Sequence, residues 1–312
     1  MPPERIVRTA RRAEELGFGE LWFSEDCFFA GAFAGIAAAL AQTGHLPVGL
    51  GVASAVTRHP ALLAMECATL SRLYPRRFRP GIGLGVPLWL QQMGLMPRSP
   101  LGAVRECVES LRALLGGGER TADGLFSFDR VALTHLPEEE LSIYLGMVGP
   151  RGLELSGAIA DGSVLSVLAG VDYVHFARER IAAGAAAAGR SSARHRVVTY
   201  VLYSVDRDGR VAREAVREVT AFYLAAMPDN ALSEVYGIQA QLQGLVADGT
   251  LMREMPDAWV EDLAVAGDPD EAAAKIRALL AAGSDSVSLW LFPLERGEEV
   301  LEMTAREVLP RL

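Results

Sequence analysis

Apolar positions along this chain follow a helical period and a strand period in turn. Over residues 3–16, Ile6, Ala10, Ala13 and Leu16 fall on one helical face, with Arg and Glu opposite. Gly17 closes that segment as a C-cap, and Leu21-Trp22-Phe23 follows as a short buried strand. The order helix, turn, strand returns at 152–160, Asp161-Gly162 and 163–167, and again at 269–282, Gly283 and 287–292. Repeated units of this kind predict an α/β domain with a parallel sheet and outer helices. The pattern places strands at 20–24, 47–52, 78–84, 141–147, 163–167, 196–205 and 286–291. Helices are expected at 31–42, 60–73, 100–115, 150–160, 171–188, 209–226, 269–282 and 296–308. Residues 121–133, with Asp123-Gly124 inside, predict a β-hairpin excursion. Residues 228–262 carry no strand pattern and predict a helical insertion before the last βα unit.

Seven strands are one short of a (β/α)8 TIM barrel, so the expectation is a single barrel-like domain over 1–312 that lacks its first strand. Either the chain starts inside a longer product, or the barrel does without that strand. The first is favoured, because the second leaves backbone edges unpaired. Both predict a gap between the strands at 20–24 and 286–291. Half of the residues are hydrophobic and the mean hydropathy is +0.20, enough for a sizeable core. The net charge of −9 argues against nucleic acid, which needs a basic face. Cys27, Cys67 and Cys107 form no CxxC and point to neither a disulfide frame nor a metal site. The first residues hold no apolar signal core, and the longest apolar run, 32–41, is too short to span a bilayer. The expected location is therefore cytoplasmic.

Four segments carry candidate chemistry. Ser24-Glu25-Asp26-Cys27-Phe28 leaves an apolar strand with two carboxylates and a thiol. Burial that raises a carboxyl pKa would let Asp26 exchange a proton near neutrality. Residues 49–62 run from a strand through small residues into Thr57-Arg58-His59-Pro60, where proline sets the start of a helix. His59 reads as a brace of that loop. Gly81-Ile82-Gly83-Leu84-Gly85 invites a dinucleotide-binding reading, but Val86 stands where the third fingerprint glycine belongs. Pro87-Leu88-Trp89 delays the next helix. In residues 144–152, Gly149 and Pro150 open a helix straight from a strand. Free N–H groups and the helix dipole at such a start suit a phosphate, and Arg151 adds charge. No metal-ligand spacing, Walker loop or nucleophile elbow is present in the sequence.

Taken in order, these segments resemble the F420-dependent branch of the luciferase-like oxidoreductases, in particular the methylenetetrahydromethanopterin reductase-like proteins. The resemblance also takes in 68–70, 77–78, 86–94, 153–162 and 267–283, and leaves out 228–262. It implies a strand-end bulge with a non-prolyl cis peptide at Gly51-Val52, behind the middle ring of a deazaflavin or flavin. It implies cofactor contacts from Glu25, Gly51, Val52, Gly85, Met147, Val148, Gly149 and Pro150, with phosphate at Gly149. It implies a homodimer and a small-molecule substrate, which the sequence does not identify. Two positions depart from the family pattern. Asp26 stands where the family often has an acid followed by a catalytic histidine, and Val86 where some members carry a glutamate. The implied activity is hydride transfer with coenzyme F420, with Asp26 as the catalytic residue. An FMN-dependent monooxygenase and a catalytically inactive barrel are the alternatives.

Overall fold

The computed structural model describes residues 2–312. Its strands, in chain order, are β1 (Leu21–Phe23), β2 (Val48–Leu50), β3 (Ala53–Ser54), β4 (Phe78–Arg79), β5 (Gly81–Gly83), β6 (Arg120–Asp123), β7 (Ser127–Val131), β8 (Tyr144–Gly146), β9 (Gly162–Leu165), β10 (Arg196–Val205), β11 (Val265–Gly267) and β12 (Ser286–Leu291). The longer helices are α1 (Ile6–Glu15), α2 (Ala32–Gln42), α3 (Pro60–Leu73), α4 (Pro87–Gln92), α5 (Pro100–Leu115), α6 (Pro150–Ile159), α7 (Val171–Ala187) and α8 (Gly209–Ala226). Then come α9 (Ala231–Val235), α10 (Gln239–Ala247), α11 (Leu251–Glu254), α12 (Asp257–Leu263), α13 (Pro269–Ala281) and α14 (Gly297–Met303). The α/β class and the parallel pairing of the TIM-barrel-like expectation are both observed. The chain divides into two compact units.

The first unit holds residues 1–147, 155–164 and 184–195. Here β1 pairs with β2 and β2 with β4, while β3, β5, β8 and β9 form a second ladder, all parallel and in chain order. Two expected strands are each broken in two. Pro80 has no N–H to give and separates β4 from β5, although its carbonyl still accepts from Tyr144 N at 2.8 Å. Gly51 and Val52 separate β2 from β3. The expected hairpin is the antiparallel pair β6–β7. The core gathers Ile36, Leu50, Leu63, Ile82, Val104, Leu111 and Leu145.

Local sequence explains why these elements start where they do. Proline occupies the first turn of α3, α4 and α5. Ser99 caps α5 by accepting from Gly102 N. His59 caps α3 through Nδ1, which accepts from Ala61 N at 3.2 Å. Its Nε2 lies 3.1 Å from the Ser127 carbonyl of β7, so His59 braces the loop against the hairpin. The approach to β2 is pinned from two sides. The Arg77 guanidinium donates to the carbonyls of Leu40, Thr43 and Leu46, closing the end of α2. The Glu14 carboxylate accepts from the amides of Gly44, His45 and Leu46. Burial opposes its charge, but those amides prevail and hold its pKa at about 2.

The second unit holds residues 148–154, 165–183 and 196–312. Its spine is β10, which pairs in parallel with β12 along Val198–Tyr203 and with β11 along Tyr203–Val205. The β11 strand was not expected. The 228–262 region is helical, as expected, and is built from α9 to α12. Tyr173, Val201, Leu202, Tyr203 and Trp259 centre the core. Asp268 and Glu271 form a capping box ahead of α13, with Pro269 in its first turn. No helix among the described residues is long and apolar enough to cross a membrane.

Candidate active site

The ladders of the first unit bring the expected residues to the same end of their strands. The β1–β2 register sets Phe23 beside Leu50, and the β3–β5–β8 register sets Ser54, Gly83 and Gly146 in a row. Asp26, Gly51-Val52, Gly85 and Met147 each lie one to three residues past one of these C-terminal ends. In parallel α/β folds this is the end that carries chemistry. Gly51 N donates to the Phe23 carbonyl at 2.7 Å, so pairing continues to the edge of the bulge. The Gly51–Val52 peptide is cis, as the resemblance implied, and Cys27–Phe28 is a second non-prolyl cis peptide that was not expected.

The Val52 side chain explains the glycine run. A Cβ on Gly83 would stand 2.5 Å from Val52 Cγ2, and one on Gly146 would stand 2.7 Å from Val52 Cγ1. A Cβ on Gly81 would meet the Leu50 carbonyl oxygen at 2.1 Å and Val52 Cγ1 at 3.3 Å. These three glycines therefore leave space for Val52 and the backbone beside it. Gly85 has φ +90°, a conformation that favours glycine, and is exposed where the chain leaves β5. The helix expected only after a delay in fact begins at once, with α4 starting at Pro87.

Asp26 is half-buried. Desolvation raises its pKa above the ordinary carboxylate range, against a lowering hydrogen bond from Ser24. Its neighbour Glu25 has a different setting. Glu25 Oε2 and Oε1 accept from Arg58 Nη1 and Nη2 at 2.5 and 2.7 Å, and Oε1 also lies 3.3 Å from Ala32 N at the start of α2. The Glu25 carboxylate thus serves the loop and the helix behind it. Cys27 is half-buried, whereas Cys67 and Cys107 are fully enclosed.

The turn at Val148–Pro150 belongs to the second unit. The Val148 carbonyl accepts from the Tyr173 hydroxyl at 2.5 Å, which ties the turn to that unit's core. The Gly149 carbonyl accepts from Gly152 N and Leu153 N, which starts α6 with Pro150 as its first residue. A Cβ on Gly149 would meet nothing within 4 Å, and Arg151 is exposed. Among the described residues, the turn is a helix start with open space where a Cβ on Gly149 would stand.

Other polar groups have structural duties. The Ser163 hydroxyl lies 2.7 Å from that of Ser156 and 2.8 Å from His195 Nε2, and all three residues are buried. Among the described residues, no group of three or more His, Cys, Asp and Glu side chains is placed to hold a metal ion. Sequence reading missed the pairing of Arg58 with Glu25. The two are 33 residues apart, and a single sequence has no signal that links them.

A family model described as luciferase-like monooxygenase matches residues 1–286. The chain is 28% identical to 5,10-methylenetetrahydromethanopterin reductase of Methanolobus tindarius, over 99% of this chain and 96% of the relative. It is 27% identical to F420-dependent glucose-6-phosphate dehydrogenase of Nocardia farcinica, over 99% and 94%. Among solved structures, the coenzyme F420-dependent tetrahydromethanopterin reductase of Methanopyrus kandleri matches with a TM-score of 0.87 and 27% identity. That match covers 99% of this chain and 96% of that one.

Proposed function

The chain belongs to the luciferase-like monooxygenase family, and within it we propose an oxidoreductase that uses coenzyme F420 to act on a small organic substrate. The observation that carries the choice of cofactor is the full-length similarity to reductases and dehydrogenases that are F420-dependent by name. Open backbone at the expected contact points fits such a group. Gly85 is exposed at a strand end, and Gly149 opens a helix with free space around it. When bound, F420 supplies a deazaflavin carbon that accepts or gives a hydride.

In this reading Gly51, Val52, Gly85 and Met147 are the ring positions. Val148, Gly149 and Pro150 form the phosphate turn, at the positive end of the α6 dipole. Glu25 acts through the loop rather than at the ring. Asp26 is the proton-exchanging group. Its raised pKa keeps the carboxyl protonated to higher pH than an ordinary aspartate. The reading predicts a small-molecule partner, a homodimer and a cytoplasmic location.

Replacing Asp26 with Asn tests the assignment. Turnover should fall about 100-fold or more, the range typical of a lost general acid or base. F420 affinity should stay within about twofold, because the ring and phosphate positions are untouched. Stability gives an independent sign. A carboxyl whose pKa is raised on folding loses stability as pH rises through that value. Asp26→Asn should therefore melt at or above the parent's temperature at pH 7 and lose that advantage in acid. Normal turnover in Asp26→Asn would remove the carboxyl from the mechanism.

A further inference from the structure

We propose that Arg58 is the positioning residue of the loop that carries Asp26, and that it acts through Glu25. The inference rests on the reading of Asp26 given above and adds a residue to that site. The contact is a planar fork on a planar fork, with Arg58 Nη1 and Nη2 each on one Glu25 oxygen at 2.5 and 2.7 Å. Both side chains are largely shielded, with 27% and 12% exposure. Glu25 immediately precedes Asp26 and also reaches Ala32 N, so it fixes both ends of the 24–31 loop.

Arg58 is itself held from three directions. It directly precedes His59, the cap of α3 that is braced to β7. Its Nε lies 3.5 Å from Glu66 on α3. Its guanidinium lies over the Phe33 ring of α2, 5.0 Å from the centroid. The loop beyond Asp26 has little packing of its own. Phe28 and Phe29 are 66% and 85% exposed, and Phe29 N donates to the Asp26 carbonyl at 3.0 Å. The orientation of Asp26 thus depends on its hydrogen bond from Ser24 and on Glu25 beside it, and Glu25 is held by Arg58.

The chain contains its own reporter. Cys27 adjoins Asp26 and is half-buried, while Cys67 and Cys107 are fully buried and burial pushes the Cys107 thiol up to about 12. In protein without added cofactor, a neutral thiol reagent such as methyl methanethiosulfonate should modify Cys27 slowly. Arg58→Gln and Arg58→Lys should each raise that rate, by roughly tenfold and about threefold, as the loop opens locally. Lysine keeps the charge but loses the fork, so its effect cannot come from altered thiol ionisation. In Arg58→Gln the remaining carboxylates disfavour the thiolate, so acceleration there runs against electrostatics.

With F420 present, both variants should bind the cofactor within about twofold of the parent and lose about tenfold in kcat, the signature of misplaced chemistry rather than lost binding. Glu25→Gln, which keeps the shape and removes the charge, should reproduce the direction of both effects. Parent-like thiol rates in both Arg58 variants would overturn the proposal. So would F420 affinity and turnover falling in proportion. Simultaneous reaction of all three thiols would also overturn it, since the pair would then be holding the whole unit. If the parent fails to bind F420, the proposed function falls, while the thiol rates still decide whether this local restraint exists.

Discussion

Gly149→Asp should weaken F420 binding about 100-fold or more while leaving the protein as stable as the parent, because it sets a fixed negative charge where a helix start would otherwise receive a phosphate. The expectation is large because both effects act in one direction. The new carboxylate repels the phosphate and also competes for the amides of the α6 start. Stability should hold because a Cβ at this position meets nothing within 4 Å. Asp just before the first helical residue, Pro150, is also a favourable capping choice. Two controls separate charge from bulk. Gly149→Ala should cost only a few-fold, and Gly149→Asn should fall between Ala and Asp. Isothermal titration with F420, alongside thermal unfolding, reads both quantities. If Gly149→Asp binds F420 like the parent, the phosphate is bound elsewhere.

Gly146→Ala should destabilise the protein by about 1–3 kcal/mol, the usual cost of forcing a methyl into a filled space. The three heavy atoms nearest the new Cβ all belong to Val52, with Cγ1 at 2.7 Å, Cγ2 at 3.4 Å and Cβ at 3.6 Å. Val52→Ala removes the two methyl contacts and leaves one at ordinary van der Waals distance. In that background Gly146→Ala should be neutral or slightly stabilising, since alanine loses less backbone freedom than glycine on folding. The cycle should therefore return a coupling of about 1–2 kcal/mol in chemical denaturation. Gly81→Ala is the contrast. Its Cβ would stand 2.1 Å from the Leu50 carbonyl oxygen, so Val52→Ala should not rescue it. Equal costs for Gly146→Ala in both backgrounds would show that Val52 does not occupy the space between these strands.

That cycle also marks how far the sequence could be read. Elements whose ends carry a local chemical signal were legible to the residue. Helices α3, α5 and α8 and strands β10 and β12 have the expected bounds. Proline opens α3 and α5, Ser99 and Asp208 cap α5 and α8, and long apolar patterns fill the two strands. Short elements were not legible. Helix α4 has six residues and no side-chain cap, and β11 has three residues, so neither completes a recognisable period. The proposed site offered some local signals and hid others. The positions of Asp26, Gly51, Gly85 and Gly149 follow from strand ends, and the cis peptide at Gly51–Val52 from the family resemblance. The purpose of Gly83 and Gly146 was hidden, because it depends on where the Val52 side chain points across two neighbouring strands, and that of Gly81 because it depends on the approach of the Leu50 carbonyl. The Arg58–Glu25 contact was hidden for the same reason. It is a tertiary meeting of two loops, and composition leaves no trace of it.

The choice of cofactor is the claim on which the rest depends, and direct competition between the two candidates tests it most closely. The purified chain is titrated separately with F420 and with FMN under identical buffer and salt, with binding followed by calorimetry. The account predicts saturable one-to-one binding of F420, at least about tenfold tighter than FMN, which corresponds to about 1.4 kcal/mol in favour of the deazaflavin. Tighter binding of FMN, or no binding of either cofactor, would contradict it.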